Sequence, residues 1–276
     1  MKNQEQNEFP TVEGGITAAK GFQAAGVHCG IKKVKKDLAV IVSERPATVA
    51  AVFTTNRTLA APLIVDKLQL KRSRLCSAIV VNSGNANACT GKPGLRDAWT
   101  MIKEGAKVLN IPEKRVLVSS TGVIGKLLPM TRVKAGIRSA AKHLSRHGHA
   151  DATQAILTTD TYTKEHAVNF KLGTKTVTVG GMAKGSGMIA PRLVGATMLA
   201  FVSTDAAISS SLLQNALTQA VNKSFNRITV DGDTSTNDMV LLLANGLAQN
   251  RPMRKASGTF KTFCAALEQV LGTLAK

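Results

Sequence analysis

The strongest constraint on the fold is a set of short, predominantly apolar runs at residues 38–43, 48–53, 77–81, 198–202 and 239–244. The first two read as strands, and those at 77–81, 198–202 and 239–244 as buried segments, the run at 198–202 being a short continuous apolar stretch closed by polar residues. Glu44-Arg45-Pro46 between the first two predicts a turn, and hence a hairpin. Residues 115–119 read as another strand, and residues 167–172 and 174–179 as a hairpin about Gly173. Helical spacing recurs over residues 94–109 (Leu95, Ala98, Ile102, Ala106), 131–144 (Val133, Ile137, Ala141), 209–225 (Leu213, Ala216, Ala220) and 260–275 (Phe263, Leu267, Leu271). A serine at the start of the third is placed to cap it. Strands outnumber the helices between them, so the expected class is α/β with mostly antiparallel strands and helices packed outside.

Composition agrees with a packed interior: 44% of residues are hydrophobic and 19% charged. Aromatics make up only 4%, so small aliphatic side chains must fill the core. Residues 1–13 are polar and read as a frayed tail. The net charge of +19 raises the question of an anionic partner. Its clusters at 32–36, 67–74 and 251–255 lack interleaved aromatics and a nucleic-acid-binding motif, which argues against that class. Cys29, Cys76, Cys89 and Cys264 are too widely spaced for a zinc ribbon or disulfide framework and are expected to be buried free thiols. His143, His147 and His149 read as a solvated loop, and no metal is expected. The first twenty residues lack an apolar leader core and no long apolar run follows, so a cytoplasmic protein is expected.

The chemistry concentrates in residues 180–205, GGMAKGSGMIAPRLVGATMLAFVSTD. Gly180, Gly181, Gly185 and Gly187 surround Lys184 and suggest a lysine on a glycine turn, suited either to an anionic ligand group or to solvent. Thr197 opens the apolar run. It is either an ordinary β-branched strand residue or, if the Ala196-Thr197 bond is cut, a hydroxyl nucleophile with its own α-amine as base. Two other stretches have the grammar of a cleft. The strand at 115–119 runs into Ser120-Thr121-Gly122, where main-chain and hydroxyl donors can meet an oxyanion. NSGNANA at 82–88 reads as a loop whose asparagines satisfy backbone groups, and DGDTSTND at 231–238 as a polar turn rather than a calcium loop.

The strings GITAAKGFQAAGVHCGIKK, VFTTNRTLAAP, VVNSGNANACTG, LVSSTGVIG, TTDT, KGSGMIAP, ATMLAFVSTDA and SFNRITVDGDTSTND occur in one order from Gly14 to about Gly246. Together they resemble the ornithine acetyltransferase family (glutamate N-acetyltransferase, of arginine biosynthesis). The resemblance implies the layered α-β-β-α fold of self-processing N-terminal-nucleophile enzymes. It implies autocleavage at Ala196-Thr197 and acetyl transfer from N2-acetylornithine to glutamate through an acetyl-Thr197 intermediate, with acetyl-CoA a further candidate donor and no cofactor. By the same resemblance Thr121 and Gly122 form the oxyanion hole, while Thr158, Lys184 and Thr197 bind substrate. The chain then divides into an alpha-chain region, 1–196, and the start of a beta-chain region, 197–276, in a heterotetramer of two chains of each kind, with neither nucleic acid nor membrane as partner.

Two departures from the family pattern stand out. Arg192-Leu193-Val194-Gly195 lengthens the segment before Ala196 by two residues relative to the family. The family's C-terminal substrate-binding Glu, Asn and Ser have no counterpart in this sequence, so a truncated chain is expected. The competing readings are an uncleaved, inactive homologue and a related self-processing aminopeptidase.

Overall fold

The computed structural model describes residues 8–188 and 198–276. Among the described residues the strands are β1 (Phe22–Val27), β2 (Leu38–Phe53), β3 (Leu75–Asn85), β4 (Val116–Val123), β5 (Lys164–Leu172), β6 (Lys175–Lys184), β7 (Leu199–Thr204) and β8 (Met239–Ala244). The helices are α1 (Ala61–Arg72), α2 (Gly91–Leu109), α3 (Met130–Lys142), α4 (His149–Ile156), α5 (Ser210–Lys223) and α6 (Gly258–Leu274). The hydrogen-bonded order is β4-β3-β2-β8-β7-β6-β5, with β1 also paired to β2. All neighbours run antiparallel except β3 with β4 and β7 with β8.

Side-chain alternation shows how this ladder forms layers, because successive residues of a strand face opposite sides. Val40, Val80 and Val118 pack with Met101, Ile102, Val133 and Ile137 of α2 and α3. Their neighbours Ile41, Ile79 and Leu117 face inward, against Phe201, Leu241 and Met182 from the other end of the ladder. On the far side Val202, Leu242 and Val179 pack with Leu217 of α5 and Phe263, Leu267 and Leu271 of α6. The order is therefore helices, sheet, sheet, helices, and both faces of each sheet are covered. That coverage is why so many strands are continuous apolar runs.

The hairpin expected across residues 38–53 is instead one long strand. Its first part pairs with β1 and β3, its last part with β8, and the register against β3 slips between Val42 and Ala47. Glu44, Arg45 and Pro46 sit exposed at this irregularity. A bulge tolerates a proline, which has no N–H to give the ladder, and bends the strand from one sheet into the other.

Other expectations are also revised. The tail is ordered from Phe9: Thr11 bridges Val168, the Phe9 main chain exchanges hydrogen bonds with the Gln269 side-chain amide, and the Phe9 ring lies tilted against that of Phe170. The edge strand β5 offers it unpaired backbone. Asn82 and Asn85 belong to β3 rather than to a loop. Ser209 stands at the N-cap of α5, yet its hydroxyl meets Ser211 and caps no main-chain N–H. His149 begins α4 instead of lying in a solvated loop, held by Nδ1 against the Glu165 carboxylate at 3.0 Å. All four cysteines are free, but Cys89 is exposed and Cys29 half-buried. No group of metal ligands occurs among the described residues, and no helix there is long and apolar enough to cross a membrane.

Candidate active site

Where the two sheets end, their inward-facing rows turn polar. Along β4, Thr121 keeps the parity of the inward Leu117; along β6, Lys184 keeps that of Met182. Lys184 is thus the last residue of a strand, not part of a glycine turn, and its side chain enters the space between the sheets, only 3% exposed. Its ammonium donates to Thr158 Oγ1 at 2.7 Å and, at 3.4 Å, to Thr121 Oγ1. Three residues expected to act together therefore do meet.

A cavity of about 490 Å³ opens onto them, lined also by Lys32, Gly84, Gly122 and residues 235–237. That volume lies within the range of small-molecule sites. Burial pushes the Lys184 ammonium below the ordinary lysine range, opposed by the nearby carboxylates of Asp160 and Asp238. Asp160, with a side chain 1% exposed, lies 3.8 Å from the ammonium. Its oxygens accept N–H bonds from Thr158 (3.0 Å) and Gly185 (2.6 Å). One carboxylate thus positions both substrate-binding candidates.

Gly122 cannot be replaced without conflict. Its φ is +130°, and a Cβ would lie 2.3 Å from the carbonyl carbon of Gly84. Only glycine allows β3 and β4 to approach this closely. The peptide before Thr121 is also fixed: Asn237 Nδ2 donates to Ser120 O at 2.8 Å and to Ala86 O at 2.7 Å. Asn82, Asn85 and Asn87 each donate to main-chain carbonyls, the structural part expected of them. The turn at 231–238 supports the cleft as expected, since Thr54 and Asn56 donate to carbonyls of Ser235 and Thr234.

Ala196, Thr197 and the Arg192–Gly195 insertion lie outside the described residues. Met198, which follows Thr197 in sequence, donates its N–H to Asp238 Oδ1 at 2.6 Å, and Leu199 pairs with Lys184. Sequence reasoning did not single out Asp160, Asn237, Asp238 or Lys32. Asp160 sits in TTDT and Asp238 in DGDTSTND, but nothing in either string says which carboxylate faces the cavity.

Four layers with the polar site at the mouth of the sheet sandwich define an α-β-β-α fold of the N-terminal-nucleophile type. An aminopeptidase from Ochrobactrum anthropi, described as a variant of that hydrolase fold, superposes with a TM-score of 0.54 over 96% of this chain and 88% of its own, at 12% identity. The ArgJ family model matches residues 23–276, and the chain belongs to that family. The arginine biosynthesis bifunctional protein ArgJ of Caldanaerobacter subterraneus is 51% identical over 96% of this chain. The chain spans 65% of that relative's length. The crystal structure of ArgJ from Bacillus halodurans matches with TM-score 0.64 and 49% identity, over 67% of this chain and 97% of that one. Ornithine acetyltransferase from Mycobacterium tuberculosis, crystallised with ornithine, matches with TM-score 0.62 and 38% identity, over 67% and 98%.

Proposed function

We propose that this chain carries the core of a glutamate N-acetyltransferase of arginine biosynthesis, moving an acetyl group from N2-acetylornithine to glutamate. The observation that carries the reading is the convergence of Lys184, Thr158 and Thr121 on one cavity, beside a β7 that begins two residues after Thr197. In the first step the Thr197 hydroxyl attacks the carbonyl of Ala196, shifting the acyl group from nitrogen to oxygen. Hydrolysis of that ester leaves residues 1–196 with a new carboxylate and Thr197 with a free α-amine. This division leaves 196 of 276 residues in the first piece, close to the 67% share of this chain matched by the two crystallised relatives.

In the transfer, the Thr197 Oγ, its proton taken by the new amine, attacks the acetyl carbonyl. Thr121 and Gly122 hold the oxyanion, ornithine leaves, and the glutamate amine takes the acetyl group from the threonine ester. Lys184 pairs with the substrate α-carboxylate and Thr158 donates a hydrogen bond to it. An oxyanion donor of this kind is worth on the order of a hundredfold in rate. Acetyl-CoA is a further donor whose thioester could form the same acetyl-threonine. The two kinds of chain would associate as a heterotetramer, two of each, in the cytoplasm, and no cofactor takes part.

Intact mass under denaturing conditions tests the first step. The parent should give two fragments dividing at Ala196-Thr197, their masses summing to the chain plus one water, and Thr197→Ala should give one uncut chain. A single uncut chain from both proteins would sink the self-processing mechanism and leave the inactive homologue as the better reading.

A further inference from the structure

The basic run at 32–36 has no part in the mechanism above, yet one of its lysines lines the cavity. The run lies in the connection between β1 and β2, which is built around Asp37. That carboxylate is fully buried and accepts main-chain N–H bonds from Cys29 (2.6 Å), Gly30 (3.2 Å) and Lys32 (2.8 Å). From outside, Arg132 donates to Gly30 O at 2.6 Å, and Lys36 pairs with Asp151 of α4. A loop tied at so many points holds its side chains in place rather than offering them to solvent.

Lys33 and Lys35 of the run are exposed, whereas Lys32 turns inward. Its Nζ donates to Lys36 O at 2.9 Å and to Leu157 O at 2.6 Å. Leu157 immediately precedes Thr158, so Lys32 and Lys184 are tied to adjacent residues. An ammonium has three N–H donors, and two here are spent on carbonyls. Lys184 has Asp160 as its counter-ion, but no carboxylate among the described residues forms an ion pair with Lys32. Burial moves the Lys32 ammonium down to about 8, opposed by the nearby carboxylates of Asp37 and Asp160 and helped by the neighbouring cations Lys35 and Lys184.

We propose that Lys32 is a second anion-binding cation of this cavity, and that with Lys184 it holds a ligand bearing two carboxylates, selecting glutamate as the acceptor over uncharged amino acids of the same shape. The inference rests on the acetyl-transfer reading and adds to it. N2-acetylornithine has a single carboxylate and a cationic side chain, so it needs Lys184 and gains nothing from Lys32. The two substrates would thus share one anchor and differ at the other.

Calorimetric titration of the 276-residue chain with L-glutamate, L-glutamine and N2-acetylornithine tests this, using the parent, Lys32→Met and Lys32→Arg, each first checked by circular dichroism. The parent should prefer glutamate to glutamine by about tenfold or more, the value of a charge-assisted hydrogen bond. Lys32→Met should lose that preference while binding glutamine and acetylornithine as the parent does, and Lys32→Arg should keep most of it. A preference that survives in Lys32→Met, or equal weakening of all three ligands, would overturn the role of Lys32. So would a parent that binds glutamate and glutamine alike. A parent that binds none of the three would overturn the acetyl-transfer reading for this chain, and the Lys32 assignment with it.

Discussion

Asp160 offers the sharpest energetic test of the site. Its carboxylate stands 3.8 Å from the Lys184 ammonium, with both side chains almost wholly buried. At that separation and an effective dielectric constant of about 20, two unit charges attract by about 4 kcal/mol. Asp160→Asn removes this attraction and turns a donating amide toward either the Thr158 or the Gly185 N–H, both of which now find an acceptor. Leaving a buried charge without its partner costs about 3–5 kcal/mol, so the variant should lose about that much stability. Lys184→Met leaves the opposite charge stranded and should also destabilise. The double variant leaves neither, so it should be more stable than the sum of the singles by about 2–4 kcal/mol. Urea unfolding followed by far-ultraviolet circular dichroism measures all four proteins. If Asp160→Asn alone does not fold, recovery of a cooperative transition on adding Lys184→Met reports the same coupling. Single effects that add to within about 0.5 kcal/mol would show that the two groups do not interact, and the argument for Asp160 as the positioning group of Lys184 would fail.

Two further outcomes can be measured on the same instrument. Gly122→Ala must place a Cβ against the Gly84 backbone at a φ of +130° and should cost a few kcal/mol; a melting temperature equal to the parent's would refute the close approach of β3 and β4. Lys32 yields a pH signature: its folded value is about 8 against 10.5 for the free side chain. Between those values the unfolded chain holds a proton that the folded chain has released, so parent stability should rise with pH relative to Lys32→Met, and parallel curves would contradict this.

The sequence made the strands and helices of the interior legible wherever burial on both faces left an unbroken apolar run, as in β7 and β8, or a helical stripe, as in α2 and α6. It misled where a polar stretch hid a change of layer. Glu44-Arg45-Pro46 has the composition of a turn, and only the pairing of residues 48–53 with β8 shows that the strand continues. Asn82 and Asn85 look like loop residues because their amides serve nearby carbonyls, a relation set by tertiary contacts. At the site, Thr121, Thr158 and Lys184 came from the family strings, and the structure brings them together. Asp160, Asn237 and Lys32 were not legible because their roles depend on which of several similar polar residues the fold turns toward the cavity. The setting of Thr197 lies outside the described residues.

The strand order also decides what a backbone break between β6 and β7 would do. β7 and β8 lie in the middle of the ladder, with β6 on one side and β2 on the other, each boundary carrying six residue pairs. A chain opened there is interleaved with itself, because the later segment is threaded between strands of the earlier one and could leave only by unzipping two ladders and withdrawing α5 and α6 from the core they share. Such a nick changes covalent connectivity and leaves the architecture standing, so a terminal amine could be created without giving up the framework that aims it.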